Sequence, residues 1–263
     1  MHKYPRTPHL ADSRRQPGDE ELGHAPFAGI RGRPVVVTEK LDGANAGISF
    51  TSGGQLLLQS RGHYLTGGPR ERQFGPLKSW ATTVAPALWP VLGDRYVLYG
   101  EWLYAKHTLF YDGLPHYFCA FDVLDSSTEE FLATPRRAEL LAGTPVVDVP
   151  VLRSGRFDSI GGLTSLAGPS RFRTHHWRQA LADAAQAAGV DPDRAAAETD
   201  LSDQMEGLYV TVEVDGRVTE RYKWIRESFR QTGADSNWPR RPIIANRLAD
   251  PASRSGRWSG RTL

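Results

Sequence analysis

The chain has 263 residues, enough for one large domain or two small ones with a substantial core. Its hydrophobic content of 40% and charged content of 24% are ordinary for a globular protein, and no apolar run reaches the length of a membrane span. The polar start Met1–Arg6 does not resemble a signal peptide, and a single cysteine, Cys119, excludes an internal disulfide and a cysteine-rich zinc site. A cytoplasmic protein is therefore predicted.

The net charge of +2 says little about partners, but the charges are unevenly distributed. From residue 221 onward there are nine arginines and one lysine. This basic stretch either contacts phosphates or is merely solvated, and the sequence favours neither reading. Residues 1–34 are rich in Pro, Gly, Arg and Asp and show little periodicity. We therefore expect an N-terminal extension packed on a domain of residues 35–230, followed by a basic tail of residues 231–263.

The predicted elements follow one another without strict alternation of strand and helix. In chain order they are a hairpin over 46–62, a helix over 76–92, strands over 96–104 and 116–124, a helix from Thr134-Pro135, a helix over 175–188 and a hairpin over 208–225. Mixed elements in this order indicate an α+β fold with mainly antiparallel sheets.

The second hairpin has a two-residue Asp215-Gly216 turn, which sets a register for its strands. With an unbroken register Leu208 faces Lys223, and Glu206 lies on the same face as Arg221 and Lys223. The sequence therefore predicts a carboxylate and two cations together near the open end of the hairpin. The alternative is a cross-strand cluster of ion pairs on a solvated face.

Lys40 lies at the end of a strongly β-forming run and is followed at once by the turn residues Asp42 and Gly43. A lysine fixed at a strand end is a candidate amine nucleophile, and the alternative is a solvated lysine before a turn. The first hairpin brings Asn45 and Arg61 together at its open end, next to Lys40.

Six short motifs occur in a fixed order over about 190 residues. They are Glu39-Lys40-Leu41-Asp42-Gly43-Ala44-Asn45, Ser60-Arg61-Gly62, Gly100-Glu101-Trp102-Leu103, Phe121-Asp122-Val123, Glu206-Gly207-Leu208-Tyr209-Val210 and Arg221-Tyr222-Lys223-Trp224-Ile225-Arg226. The series resembles the motifs of the covalent nucleotidyltransferases, which comprise DNA ligases, RNA ligases and mRNA capping enzymes. The spacing to Asn45 and the short chain look most like the RNA ligases.

The resemblance implies an adenylyltransferase core of two mainly antiparallel β-sheets flanked by helices. It implies no OB-fold domain, because about 37 residues remain after Arg226. It also implies roles in ATP binding and catalysis, with Lys40 adenylylated and Lys223 on the α-phosphate. The ATP-binding set is Glu39, Lys40, Asp42, Asn45, Arg61, Glu101, Phe121, Glu206, Arg221 and Lys223, with Glu101 at the ribose and Phe121 stacked on the base.

The activity implied is that of an ATP-dependent RNA ligase. Such an enzyme self-adenylylates, passes AMP to a 5′-phosphate end and seals that end to a 3′-hydroxyl. The implied metal is Mg²⁺, with Mn²⁺ as an alternative, and Glu206 is its expected ligand. RNA ends or a nicked duplex are the expected partners, with an end-healing kinase or phosphatase beside them in RNA repair, and no membrane. The alternatives are a small DNA ligase, a capping-type guanylyltransferase using GTP, and a catalytically lapsed RNA-end-binding module.

One position departs from the family pattern. The family ends with two lysines separated by one residue, whereas Arg221 stands in the first place here. Arginine keeps its proton, so a step that needs a neutral lysine falls to Lys223. In the other alignment Lys223 is the first lysine, Ile225 replaces the second, and Arg226 is the nearest substitute. We also expect neighbouring cations and burial to lower the pKa of the nucleophilic lysine.

Overall fold

The architecture comes from a computed structural model of the chain, which describes residues 1–15, 19, 21–231 and 242–249. Most of the predicted basic tail, residues 232–241 and 250–263, lies outside the described residues. Among the described residues, no helix combines the length and apolar character needed to cross a membrane.

Strands dominate the described part of the chain. They are β1 (His9–Leu10), β2 (His24–Ala25), β3 (Val35–Lys40), β4 (Ala44–Phe50), β5 (Leu56–Ser60), β6 (Tyr96–Trp102), β7 (Phe118–Asp125), β8 (Glu130–Leu132), β9 (Val147–Asp148), β10 (Val151–Gly155), β11 (Gly207–Val214) and β12 (Arg217–Ile225). The helices are α1 (Gly75–Leu92), α2 (Thr134–Leu141), α3 (Ile160–Thr164), α4 (Trp177–Ala187) and α5 (Pro192–Ala197), with short 3-10 turns at Phe27–Gly29 and Pro69–Phe74.

The described strands belong to one hydrogen-bonded sheet with the order β10-β3-β11-β12-β8-β7-β6-β4-β5. Neighbours on this path are antiparallel, whereas β1 joins β12, and β9 joins β7, in parallel. The α+β prediction with mainly antiparallel pairing is confirmed. The predicted separation into two sheets needs correction, because β8 connects the halves through the pairs Arg217–Leu132 and Val218–Phe131. Two sheets were expected from the family resemblance, and each half of the sheet packs against its own apolar cluster.

Each half of the sheet buries a separate core. Helix α1 packs Leu77, Val84 and Leu88 against the apolar face of β4, β6 and β7. The helix continues through Pro86 and Pro90, both of which are exposed, although each proline removes one backbone N–H donor from the helix. The second core lies on β3 and β11 and includes residues of the N-terminal segment.

The first hairpin has the predicted arrangement, with Ala46 opposite Ser60 and Phe50 opposite Leu56. In β4 and β6, Asn45 pairs with Glu101, and the alternating Ala44, Ala46 and Ile48 belong to the core under α1. Asn45 and Glu101 therefore lie on the opposite face, away from that core.

The register predicted for the second hairpin is wrong beyond its turn. The predicted pair Val214–Arg217 forms, but a β-bulge at Thr219, the extra residue on β12 opposite Val212 and Glu213, shifts the pairs that follow by one residue. As a result Tyr209, not Leu208, faces Lys223, and Thr211 faces Arg221. Glu206 therefore does not share a strand face with these two cations in the way that was predicted.

Candidate active site

A cavity of about 380 Å³ is lined by residues of β3, β11 and β12 from one half of the sheet and of β4, β6 and β7 from the other. Nine of the ten residues predicted to bind nucleotide line this cavity: Glu39, Lys40, Asp42, Asn45, Arg61, Glu101, Phe121, Glu206 and Lys223. The tenth, Arg221, does not. The structure therefore brings together side chains that are up to 184 residues apart in the sequence.

The turn after Lys40 is held from two sides. The Asp42 carboxylate accepts hydrogen bonds from the backbone N–H groups of Thr108 at 2.7 Å and Leu109 at 2.6 Å. The backbone N–H of Gly43 donates to the Glu101 carboxylate at 3.1 Å. A Cβ atom on Gly43 would lie 2.6 Å from the carbonyl oxygen of Trp102, so only glycine fits this approach. Together these contacts fix the end of β3, from which Lys40 projects.

The Lys40 amine forms an ion pair with Glu206, with Nζ 2.8 Å from Oε2. The lysine side chain is 24% exposed and the glutamate side chain is 5% exposed. Burial lowers the pKa of Lys40, but the carboxylates of Glu206 and Glu101 outweigh it, so the pKa is raised. The expected lowering by neighbouring cations is therefore wrong for the free protein, because carboxylates are the dominant neighbours.

Burial also perturbs the carboxyl groups of the cavity. It raises the pKa of Glu101 to about 7 and that of Glu206 to about 7, against the opposing attraction of Lys40 in both cases. It raises the pKa of Glu39 to about 7 as well, although Ser170 and the backbone N–H of Arg171 donate hydrogen bonds to this carboxyl. Perturbed acids grouped around a lysine in a cleft are typical of functional sites.

Lys223 approaches the cavity from β12 and donates a hydrogen bond to Asp19 of the N-terminal segment. Burial lowers the pKa of Lys223, Asp19 opposes this, and the charges of Lys40 and Arg61 lower it further. The pKa of Lys223 therefore ends below its ordinary value, unlike that of Lys40.

Arg221 lies away from the cavity. Its Nε is 3.7 Å from Oδ2 of the fully buried Asp122, and its guanidinium carbon is 3.9 Å from the centre of the Phe131 ring. The prediction that Arg221 belongs to the nucleotide-lining set needs correction, because this buried anion and ring draw the side chain behind the cavity wall. Arg226 also turns away and instead donates to the carbonyl oxygen of Met205 at 2.8 Å.

Phe121 lines the cavity at a second β-bulge, where β6 pairs Tyr99 with Asp122 and Gly100 with Ala120. A bulge re-aims a side chain, and here Phe121 packs 5.1 Å from the ring of Tyr4. A second aromatic neighbour of Phe121 is the Tyr209 ring, at 6.2 Å between centres. These rings give one wall of the cavity an aromatic surface.

No cluster of three or more potential metal-ligating side chains occurs in the described part of the chain. Mg²⁺ in phosphate-transfer sites uses one or two carboxylates together with phosphate oxygens, so it needs no such cluster. The carboxyl oxygens of the buried Glu206 and the half-buried Glu101 fit that requirement.

Several lining residues were not identified from the sequence: Tyr4, Thr7, Asp19, Thr38, Tyr209 and Phe229. Tyr209 is detectable once the hairpin register is corrected. The residues of the N-terminal segment carry no local signal, because their contacts are with strands about 200 residues away.

The family model described as RNA ligase matches residues 33–225. The chain therefore belongs to the RNA ligase family, and the resemblance drawn from its six motifs is confirmed. None of the curated proteins is detectably similar to it.

Solved structures of RNA ligases are similar to this chain. An arginine-to-alanine mutant of the Naegleria gruberi RNA ligase with ATP and Mn is 18% identical at a TM-score of 0.50, covering 87% of this chain and 56% of that one. A glutamate-to-alanine mutant of the same ligase with ATP and Mn is 16% identical at a TM-score of 0.49, covering 86% of this chain and 58% of that one. An archaeal ATP-dependent RNA ligase is 13% identical at a TM-score of 0.48, covering 85% of this chain and 48% of that one. The chain thus spans only about half of the length of these proteins.

Proposed function

We propose that the protein is an ATP-dependent RNA ligase that forms a covalent lysyl-AMP intermediate on Lys40. The observation that carries the proposal is the Lys40 amine at 2.8 Å from Glu206, beside Glu101, in a cavity inside the segment matched by the family. The similar Naegleria structures contain ATP and Mn, and the archaeal relative is described as ATP-dependent, which supports ATP as the nucleotide.

In the proposed first step, the neutral Lys40 amine attacks the α-phosphorus of ATP. A nitrogen–phosphorus bond forms, the bond to the bridging oxygen breaks, and its electron pair leaves with pyrophosphate. The amine must first lose the proton that its raised pKa holds in the free protein. Glu206, which contacts the amine directly, is placed to accept that proton or to bind the metal.

The metal would be Mg²⁺ or Mn²⁺, held by Glu206 together with phosphate oxygens. It would neutralise charge on the phosphates and assist the departure of pyrophosphate. Lys223 and Arg61 are the cations that would meet the phosphates from the opposite side.

The geometry supports some of the remaining predicted nucleotide-binding roles more directly than others. Phe121 offers a face for the adenine ring, and Glu101 and Asn45 offer polar groups for the ribose or phosphates. The Asn45 Oδ1 atom is buried without a hydrogen-bond partner, so it is available to a ligand. The carboxylates of Glu39 and Asp42 already accept backbone N–H groups, so we propose that they mainly shape the site.

The next steps follow from the family. AMP passes to a 5′-phosphate end of RNA, and a 3′-hydroxyl then displaces it. A panel of nicked duplexes with RNA or DNA on each side distinguishes this proposal from a small DNA ligase. A cytoplasmic location and an end-healing kinase or phosphatase as partner remain predictions.

A lapsed RNA-end-binding module is the second candidate. Two observations favour it: Arg221 lies behind the cavity wall, and Lys40 is held protonated by Glu206. Such a module binds RNA ends but forms no covalent nucleotide.

The deciding experiment is incubation with α-labelled ATP and Mg²⁺ or Mn²⁺, followed by denaturing electrophoresis and mass spectrometry of the labelled peptide. We expect label on wild type, none on Lys40→Ala, and wild-type labelling of the exposed-lysine control Lys3→Ala. An unlabelled wild type contradicts the ligase proposal, and preferential labelling by GTP indicates a capping-type enzyme.

A further inference from the structure

The N-terminal segment reaches the cavity beside Lys223. Strand β1 pairs in parallel with β12, with His9 opposite Lys223. The His9 side chain is completely buried, and Asp19, further along the segment, lines the cavity with 14% of its side chain exposed. The lysine expected on the phosphates is therefore contacted by Asp19, which is in turn contacted by His9.

These groups form a continuous chain of hydrogen bonds. The backbone N–H of Ile225 donates to Ser13 Oγ at 2.9 Å, and Ser13 Oγ is 2.8 Å from His9 Nδ1. His9 Nε2 is 3.1 Å from Asp19 Oδ2, the oxygen that also accepts from the Lys223 ammonium. This series of hydrogen bonds begins at Ile225 and ends at Lys223, both on β12.

The direction of each bond follows from the donors available. Because Ser13 accepts from a backbone N–H, its single hydroxyl proton is free for His9 Nδ1. Burial lowers the pKa of His9, so the ring is neutral near pH 7 and its remaining proton lies on Nε2, facing Asp19. The Asp19 carboxylate therefore receives two hydrogen-bond donors, one of them the Lys223 ammonium, and its Oδ1 atom lies 3.6 Å from the Arg6 guanidinium.

The arrangement leaves Lys223 able to bind a ligand. An ammonium group has three N–H donors, and Asp19 occupies one of them. Arg221, two residues earlier on β12, faces Asp122 and supplies no cation to the cavity. Lys223 is therefore the cation that β12 contributes to the cavity, and its orientation depends on a single carboxylate.

We propose that Asp19 is a positioning residue, which with His9 and Ser13 fixes the Lys223 ammonium so that its free donors face the nucleotide phosphates. This inference rests on the proposed function. It assigns the N-terminal segment a part in adenylyl transfer, in compensation for the cation that Arg221 does not provide.

The test compares Asp19→Asn with Asp12→Asn, the same change at an exposed position of the same segment. We expect the rate of lysyl-AMP formation at saturating ATP to fall roughly 10- to 100-fold in Asp19→Asn, the scale on which a misplaced group slows an oriented reaction. Asp12→Asn should match wild type, and Asp19→Glu, which keeps the carboxylate, should recover part of the rate.

A second readout distinguishes positioning from a merely structural role. The groups that face Lys223 are Asp19, His9, Lys40, Arg61 and Glu206. Among the nearest of them, Asp19 raises the pKa of Lys223, so its removal should shift the pH midpoint of Lys223 modification by an amine-reactive reagent downward. Mass spectrometry measures this midpoint without ATP, and thermal melting checks that the variant is folded.

The outcomes separate the two proposals. If wild type forms no lysyl-AMP, the proposed ligase function fails, whereas the Lys223 midpoint still tests the Asp19 contact. If wild type is labelled and Asp19→Asn has an unchanged rate and midpoint, the positioning role is overturned. A faster rate in Asp19→Asn also overturns it, since Asp19 would then restrain Lys223 from binding phosphate.

Discussion

Three carboxyl groups line the cavity that contains Lys40, the proposed nucleophile, and desolvation is the main reason why the pKa of each is about 7. They are Glu39, Glu101 and Glu206. A buried acid that ionises only near neutral pH opposes folding at higher pH, so these residues are better explained by function than by stability. Glu101 and Glu206 act on Lys40 directly, whereas Glu39 faces Ser170 on another part of the wall.

Substitution of Glu39 tests whether a desolvated carboxyl group lowers stability, and it leaves the candidate metal ligands Glu206 and Glu101 unchanged. Its folded-state pKa of about 7 exceeds the ordinary 4.5, so its contribution to stability is present below pH 4.5 and is lost as pH rises towards 7. The shift corresponds to an upper limit of roughly 3 kcal/mol. We expect Glu39→Gln to gain stability relative to wild type between pH 5 and pH 8 in urea denaturation. An exposed control, Glu139→Gln, should show no such gain, and equal pH dependence in all three proteins would contradict the prediction.

Gly43 provides a second test at the scale of one residue. In Gly43→Ala the new methyl group would lie 2.6 Å from a backbone oxygen of β6, so β6 or the turn after Lys40 must move. We expect a loss of about 1–3 kcal/mol in the free energy of unfolding and at least tenfold slower adenylylation. The matched control is Gly53→Ala, where the nearest atom is 3.8 Å away. Unchanged stability and rate in Gly43→Ala would show that the close approach is unimportant.

At the level of elements, the hairpin of β11 and β12 shows what the sequence can and cannot predict. Its turn and the pair Val214–Arg217 are as predicted, because turn chemistry is local. An unbroken register would have placed Lys223 opposite the buried Leu208. The bulge instead places Trp224 there, on the apolar face. The alternation of apolar residues on both strands favours the observed register, whereas the length of the turn favoured an unbroken one. Burial of the apolar face determines the register that forms.

The segment that carries Glu206 depends on Arg226, which the sequence suggested only as a substitute for a family lysine. Its guanidinium donates to Met205 O at 2.8 Å and to Ser202 Oγ at 3.1 Å, and also pairs with Asp200. Its backbone N–H donates to the carbonyl oxygen of Glu206 at 3.2 Å. A lysine cannot make this planar set of bonds.

We therefore expect Arg226→Lys to lower the free energy of unfolding by about 1–3 kcal/mol and to slow adenylylation about tenfold, because Glu206 loses its support. Arg178→Lys is the matched control, since Arg178 contacts the same segment at Asp203 but is 54% exposed. Differential melting and single-turnover labelling measure the two effects. A variant that loses stability but keeps the wild-type rate would show that Arg226 does not control the position of Glu206.

On the scale of the whole molecule, the site is assembled from both ends of the described chain. The sequence predicted residues 1–34 as a packed extension, yet Tyr4, Thr7 and Asp19 line the cavity itself. No periodic pattern marks them, because their partners are distant strands and not neighbours in sequence. The central motifs were found because each lies within a single strand or turn. The cavity residues near the N-terminus could be identified only from the tertiary structure.

Residues 242–249 support the site from the other end of the described chain. The side chain of Asn246, which is 1% exposed, accepts from the Tyr111 N–H at 2.8 Å and donates to the Leu103 carbonyl at 2.8 Å. The Tyr111 hydroxyl in turn accepts from the backbone N–H of Asp42 at 2.9 Å, in the turn after Lys40. Two consecutive hydrogen bonds therefore connect Asn246, through Tyr111, to the turn after Lys40, the proposed nucleophile.

Asn246→Ala leaves a buried N–H and a buried carbonyl without partners, and each such group costs about 1–3 kcal/mol. We expect a lower melting temperature, faster hydrogen exchange over residues 103–114, and slower lysyl-AMP formation. The neighbouring substitution Arg247→Ala, at a side chain that is 42% exposed and 3.7 Å from Asp183, should leave all three unchanged. If Asn246→Ala exchanges faster at 103–114 but labels at the wild-type rate, the turn after Lys40 holds its geometry without this segment. If exchange and labelling change together, the segment is part of the structure that positions the amine.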